Sequence, residues 1–280
     1  MKNSSETGMK EFRFQKKRDK CETFKKKFKE WFVGYTDGDG CFNIYLNEKS
    51  EKITLTFKIS QKGNNEQVLH YMKKELGVGK VRKDKLGMAH YLIRDQKGIE
   101  EKVIPLFEEY QLRTEKRYSY EKYLESYKVW KDTESSQREK ILKIKNIIES
   151  TEKVERKKNP KEMTKSWIIG FTEAEGSFYL TSKDKERIEH GFGITQKKDR
   201  EVLQEIKEKL EIKPEVRWNK KGFWTLDTTN KECIKKIKRY YTKTMKSRKS
   251  LIYRIWARSL RHKNKYPELR KIQELLRSLK

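Results

Sequence analysis

The stretch WFVGYTDGDGCF, Trp31–Phe42, decides how this chain is read: an apolar run carrying one glycine ends in two acids, each followed by glycine. In a chain of formal charge +28, carboxylates at such a place need a reason. The pattern returns as WIIGFTEAEGSF, Trp167–Phe178, with Gly34 and Gly170, Asp37 and Glu173, and Asp39 and Glu175 each 136 positions apart. Outward from the motifs the matches continue. FKISQKGN (Phe57–Asn64) faces FGITQKKD (Phe192–Asp199), pairing Gln61 with Gln196 and Lys62 with Lys197. EQVLHYMKKELGVGKVR and REVLQEIKEKLEIKPEVR follow as similar helical patterns, and LRTEKRYSY (Leu112–Tyr120) lines up with MKSRKSLIY (Met245–Tyr253). A repeat of about 135 residues is too long for a solenoid unit and implies two homologous domains. The boundaries read as a basic flexible arm at 1–20, a first domain at 21–130, a charged linker at 131–158 with a helical stretch around Ile141–Ile148, and a second domain at 159–280.

Each domain reads helix, strand, strand, helix, strand, strand, helix. Phe24, Phe28, Phe32 and Tyr35 recur at spacings of three and four, which predicts an amphipathic helix leading into the first acids. In the second domain Asn159-Pro160-Lys161-Glu162 has the pattern of an N-cap, a proline at N1 and a capping-box acid. Alternating stretches then predict antiparallel strands with one face on the helices and the other outward. The outward set is Asn43, Tyr45, Asn47, Lys58, Ser60, Lys62, Arg82 and Arg94 in the first domain. In the second it is Tyr179, Thr181, Arg187, Gln196, Arg217, Asn219 and Thr225, with Lys197 just beyond. A one-residue slip in register would exchange the faces.

The charge is lopsided, with 70 Lys and Arg against 42 Asp and Glu, and this points to a polyanion. Polar and basic sheet faces suit phosphates and base edges, because a two-stranded ribbon fits the major groove; a plain solvated face is the alternative. No apolar run approaches the roughly 18–20 residues of a membrane span, so an integral membrane protein is not expected; an acidic membrane surface would suit the charge but not the paired motifs, so no membrane partner is expected. Three cysteines and four histidines lie in no metal-ligand spacing, which excludes a structural zinc site. Abundant Lys with only Ala89, Ala174 and Ala257 is the composition of an A+T-rich coding genome, and favours an organelle, chloroplast or mitochondrion.

A glycine inside a helix costs about 1 kcal/mol against alanine, so Gly34 and Gly170 imply close approach of another backbone. If they face each other, two helix C-termini lie side by side, and carboxylates there are unfavourable beside the negative ends of two dipoles. Divalent cations resolve the conflict, since carboxylates and terminal carbonyls are oxygen ligands suited to Mg²⁺.

These residues carry a family resemblance. Phe32–Gly40, FVGYTDGDG, and Ile168–Gly176, IIGFTEAEG, resemble the nine-residue LAGLIDADG signature, and the chain is similar to single-chain, two-motif LAGLIDADG homing endonucleases over about residues 22–260. The resemblance implies an α+β fold of two pseudo-symmetric αββαββα domains, with motif helices at the interface and saddle-shaped antiparallel sheets over double-stranded DNA. It implies hydrolysis of both strands at a long asymmetric site with short 3′ overhangs, using Mg²⁺, replaceable by Mn²⁺, with Ca²⁺ supporting binding but not cleavage. The second acids, Asp39 and Glu175, would bind the metals with the carbonyls of Gly38 and Ala174. Asp37 and Glu173 would be structural. Gln61 and Gln196 match the active-site glutamine. The basic partner is Arg113 or Lys116 in one half and Lys246 or Lys249 in the other; Lys116 and Lys249 are favoured, and Arg113 and Lys246 are then assigned to DNA contact.

Two dissimilar halves on one chain imply a monomer. The methionine start and the lack of splice-junction residues point to an intron-encoded protein rather than an intein. An intron RNA maturase, with host intron RNA as partner, and a non-cleaving DNA-binding regulator are the alternatives. Retention of both second acids favours cleavage.

Overall fold

The computed structural model describes residues 4–150, 162–184, 187–262 and 265–279, the side chains of residues 4–18 and 20 excepted. In the first half α1 (Ser4–Asp39) leads into β1 (Gly40–Asn47), β2 (Lys52–Lys62), α2 (Glu66–Leu76), β3 (Lys80–Lys83) and β4 (Met88–Ile93). A turn α3 (Gln96–Gly98) runs through a π-helical turn into α4 (Ile104–Glu109), and α5 (Lys116–Lys131) and α6 (Gln137–Glu149) follow. The second half has α7 (Lys165–Glu175), β5 (Ser177–Ser182), β6 (Ile188–Gln196), α8 (Arg200–Lys209), β7 (Arg217–Asn219), β8 (Phe223–Thr228), α9 (Lys231–Tyr241), α10 (Lys249–Ser259) and α11 (Tyr266–Ser278). Each half is therefore αββαββ followed by helices. Its four strands are antiparallel, in the order β1-β2-β4-β3 and β5-β6-β8-β7.

Two expected boundaries differ. Helix α1 begins at Ser4, within the segment read as an arm. Asn159, Pro160 and Lys161 lie outside the described residues, and α7 starts at Lys165, where the Thr164 hydroxyl accepts from Trp167 N at 3.2 Å. Glu162, read as a capping-box acid, instead precedes the helix and pairs with Lys209. A capping signal thus stands several residues ahead of the turn that is capped. The linker helix has its own capping box, Ser136 with Glu139, and it packs Ile141 and Ile144 on Ile53 at one end of the first sheet.

Periodicity explains the packing. In β1 Phe42, Ile44 and Leu46 alternate with Asn43, Tyr45 and Asn47; in β2 Phe57 and Ile59 alternate with Lys58 and Ser60. The apolar sets turn toward the helices, and one continuous core joins both halves through the motif helices. At the helix pair there is no room for side chains. A Cβ on Gly34 would lie 2.1 Å from the Trp167 carbonyl oxygen, and one on Gly170 would lie 2.0 Å from that of Trp31. Each glycine admits the opposite tryptophan's backbone. Lower down, a Cβ on Gly38 would come within 2.3 Å of the Ala174 Cβ. This level of the interface holds one methyl group, which accounts for Gly on one helix and Ala on the other.

Replacing Gly34 or Gly170 by Ala forces the backbones apart, and each change should cost more than the roughly 1–3 kcal/mol of ordinary overpacking. Urea unfolding of each alanine variant beside the wild-type chain checks this, and since both glycines are helical no left-handed backbone strain contributes to the loss.

Candidate active site

The motif acids divide into two pairs. Asp37 is buried, and its carboxylate accepts from Arg113 N at 3.1 Å, Thr114 N at 3.0 Å, the Thr114 hydroxyl at 2.7 Å and, across the interface, Trp167 Nε1 at 2.9 Å. Glu173 repeats the arrangement from the other side. It accepts from Lys246 N at 3.0 Å, from Ser247 N and from Trp31 Nε1 at 2.9 Å. Each first acid therefore ties the approach to its own late helix, α5 or α10, to the motif helix of the other half. Burial raises the Asp37 carboxyl above its ordinary range, and the Thr114, Arg113 and Trp167 hydrogen bonds oppose that rise. Removing this carboxylate would cost stability, because each buried donor it leaves orphaned costs about 1–3 kcal/mol.

Asp39 and Glu175 end the same two helices two residues closer to the strands, about half a turn on. Burial raises both carboxyls; for Glu175 the charge of Asp39 raises it further, while lysines and glutamines pull in the other direction. Gln61 Nε2 donates to Asp39 Oδ2 at 2.6 Å, and Gln196 lies beside Glu175, where its amide favours the charged carboxylate. Lys116 Nζ donates to the Gly38 carbonyl at 2.7 Å. Lys249 Nζ donates to the Ala174 carbonyl at 3.1 Å and to that of Gly176 at 2.5 Å. Burial pushes the Lys116 ammonium down, against the charges of Asp37, Asp39 and Glu175. The helix ends are thus acidic enough to hold two cationic side chains in low-dielectric surroundings.

No group of three or more His, Cys, Asp or Glu side chains is placed to hold a metal ion among the described residues. A cation between the halves would be held by Asp39, Glu175, the carbonyls of Gly38 and Ala174, and oxygens of solvent or ligand. The residues fit that role: the donors are all oxygen, and the motif helices approach so closely at Gly38 that a Cβ there would lie 3.5 Å from Glu175 Oε1, which brings the Asp39 helix end beside the Glu175 carboxylate. An all-oxygen set selects a hard cation of the Mg²⁺ or Ca²⁺ kind.

The other expected residues separate by environment. Asn43, Tyr45, Asn47, Lys58, Ser60, Lys62, Arg82 and Arg94 share the outward side of the first sheet or its edge, and Tyr45 is 53% exposed. In the second sheet Tyr179, Thr181, Arg217, Asn219 and Thr225 share the outward side, Arg187 precedes β6, and Lys197 is exposed beyond it. Several are already engaged: Tyr179 and Arg217 both bond Asp227, Arg187 pairs with Glu189, and Asn219 donates to Thr225. Two expectations are corrected. Gln196 has the parity of Phe192 and Ile194 in β6, so it lies on the helix side beside Glu175 and not on the outward face. Arg113 does not offer its guanidinium to a ligand. Its side chain is 10% exposed, lies over the Trp167 ring and pairs with Glu205 at 3.1 Å, because its loop is drawn into the interface by Asp37. Lys246, its counterpart, keeps solvent exposure with its ammonium 4.9 Å from the Trp31 ring centre.

Trp31 and Trp167 have no role assigned to them from the sequence, since their N–H groups toward the opposite acids carry no local signal. His90 was also missed. On the outward face its Nδ1 lies 2.9 Å from Ser60 Oγ and its Nε2 lies 3.0 Å from Asp84 Oδ2, a chain between β2, β4 and the turn joining β3 to β4. Only strand pairing brings these together.

Paired acids at the ends of two helices packed through glycine, between two antiparallel sheets, define a duplicated two-motif protein in one chain. The chain matches the LAGLIDADG endonuclease family at residues 32–127 and 168–260, and it belongs to that family. It is 35% identical over 271 residues to the probable intron-encoded endonuclease Cox1-I1b of Schizosaccharomyces pombe, covering 90% of this chain and 69% of that protein. It is 30% identical over 172 residues to the uncharacterized mitochondrial protein RF1 of Saccharomyces cerevisiae, covering 61% of this chain but 36% of that one. The fold is that of the LAGLIDADG homing endonuclease I-GzeII, solved in complex with its DNA target (TM-score 0.76, 23% identity, 88% of this chain and 97% of that one).

Asp37→Ala should lower stability by about 3 kcal/mol or more, since it orphans several buried donors at once; urea denaturation measures it. Asp39→Asn and Glu175→Gln should do the opposite. A carboxyl raised in the folded state contributes stability at low pH and loses it as pH rises through its folded value, so at neutral pH the ionised acids oppose folding. Each amide should stabilise by about 0.5–2 kcal/mol, and unfolding curves at falling pH should show that gain shrinking.

Proposed function

We propose that this chain is a site-specific, double-strand DNA endonuclease that hydrolyses both strands with the help of divalent cations. The observation that carries the reading is the juxtaposition of Asp39 and Glu175, each beside a glutamine and near a half-buried lysine that reaches the adjacent motif carbonyls. A fold alone, or a DNA-binding role alone, has no use for acids that oppose folding. The endonuclease names of relatives and the DNA complex of I-GzeII support the same reading.

Hard cations held at Asp39 and Glu175 would lower the pKa of attacking water and polarise the phosphate. Around them this chain's residues have separate tasks. Gln61 holds Asp39 by a hydrogen bond, and Gln196 lies beside Glu175 in the matching position. Lys116 and Lys249 add positive charge where the phosphorane builds negative charge, which preorganised donors stabilise without reorganisation. Hydrolysis adds water to phosphorus, releases the 3′ oxygen as a hydroxyl and leaves the phosphate on the 5′ side. Two neighbouring centres facing opposite strands across a minor groove yield short 3′ overhangs. The outward faces of both sheets, with Asn43, Tyr45, Lys58, Arg82, Tyr179 and Thr181 among them, would read the flanking sequence. Because the faces differ, the site is asymmetric and the acting species is a monomer. A mitochondrial setting agrees with the RF1 relative and with the A+T-rich composition.

Selection from randomised duplexes and from fragments of the host genome tests this. One site cut on both strands in Mg²⁺ but only bound in Ca²⁺ is the expected result, whereas specific binding without cutting in either ion overturns it. Lys116→Ala and Lys249→Ala should each slow cleavage roughly 10²-fold or more while Ca²⁺-supported binding persists. Affinity should fall about 10³–10⁵-fold between 50 and 200 mM salt if 6–10 phosphates are contacted.

A further inference from the structure

Asn65 and Asp199 stand at the N-caps of α2 and α8, yet neither side chain makes a cap hydrogen bond. An N-cap Asn or Asp that caps its helix contributes about 1 kcal/mol, so its diversion needs a reason. Both reach the other half of the molecule. Asn65 Oδ1 accepts from Arg248 N at 2.8 Å, and Asp199 Oδ1 accepts from Glu115 N at 2.8 Å. Arg248 and Glu115 are the N-cap residues of α10 and α5, and neither end is capped by a side chain of its own N-cap residue. The helices that carry Lys249 and Lys116 are thus capped from the opposite half.

The two bridges differ in one atom. The Asn65 amide also donates from Nδ2 to Gln61 Oε1 at 2.7 Å, while Gln61 Nε2 donates to Asp39 at 2.6 Å. A chain of three hydrogen bonds therefore runs from Asp39 through Gln61 and Asn65 to the start of α10. It fixes which end of the Gln61 amide meets Asp39, because only a donor can sit against Oε1 and only a donor can sit against the carboxylate. Asp199, as a carboxylate, accepts from Glu115 but has no hydrogen to give Gln196.

Resting on the endonuclease reading above, we propose that Asn65 is a positioning residue: it locks Gln61 against Asp39 through the other half of the molecule, so that the Asp39 half-site is preorganised and its DNA strand is cut first. The Glu175 half-site, where the corresponding Asp199 carboxylate has no hydrogen to donate, cuts second. Asn65→Asp separates the two jobs of the residue. It keeps an acceptor for Arg248 N and removes the donor to Gln61.

The test is single-turnover cleavage in Mg²⁺ of a target duplex labelled on each strand in turn, with Ca²⁺-supported binding and thermal midpoints measured alongside. Gln61→Ala identifies the strand served by Asp39 as the one it slows more. Wild-type protein should nick that strand first. Asn65→Asp should slow it at least 10-fold and the other strand less than about 3-fold, with binding and midpoint little changed. Added to Gln61→Ala it should slow that strand no further, since coupled residues lose their effect once the partner is gone. Asn65→Ala, which introduces no charge, should slow the same strand and serves if the Asp variant does not fold. Equal slowing of both strands, no slowing, additive effects or the reverse order of nicking each overturn the proposal while the endonuclease reading stands. Wild-type protein that cuts neither strand overturns both.

Discussion

The contact on which the rest of the molecule depends is the backbone-to-backbone packing of α1 on α7, with the opposite tryptophan's carbonyl seated against each glycine. Helices usually meet at 8–10 Å through side chains. Here the interface is too tight for a Cβ, and the hydrophobic effect alone would not select such closeness. The crossed bonds from Trp167 to Asp37 and from Trp31 to Glu173 hold the pair in register. They also draw in the loops that begin α5 and α10, so the interface and the two lysine-bearing helices form one unit.

That geometry has an electrostatic consequence. Two helix C-termini with four acids come together in a largely buried place, where helix dipoles disfavour negative charge. The first acids are neutralised by donors from both halves. The second acids are incompletely compensated, and burial keeps their carboxyls above the ordinary range. Lys116 and Lys249 supply part of the missing positive charge by reaching the motif carbonyls. An unfavourable site is thus maintained by a favourable interface, and on the proposed endonuclease reading cations and phosphate would relieve it.

The two halves are alike in plan but not in detail. Gly38 opposes Ala174, Asp39 opposes Glu175, and Asn65 and Asp199 bridge the interface with different hydrogen-bond capacities. Arg113 forms an ion pair with Glu205, whereas Lys246 rests over a ring. Freed from the identity that a symmetric dimer imposes, each half adapts its sheet face and its chemistry separately.

Much of this was legible in the residue order. A repeat of acids, glycines and glutamines at one spacing establishes duplication, alternation of apolar and polar residues defines which strand face is outward, and interior glycines announce a close helix approach. These are local signals with a fixed period, so one dimension suffices to read them. What the chain order left open is what lies opposite what. Arg113 was read as a DNA contact because a basic residue beside a helix start looks solvated; only the folded interface puts Glu205 and Trp167 against it. Gln196 was placed on the outward face because a strand's last residue can be counted to either side. Asn65 and Asp199 look like ordinary N-caps, and their partners lie 183 and 84 residues away. Local propensity and periodicity decided the elements and their faces; the pairing of buried donors with acceptors across the two halves was decided by tertiary packing, since each such group must be satisfied by whatever the fold brings within reach.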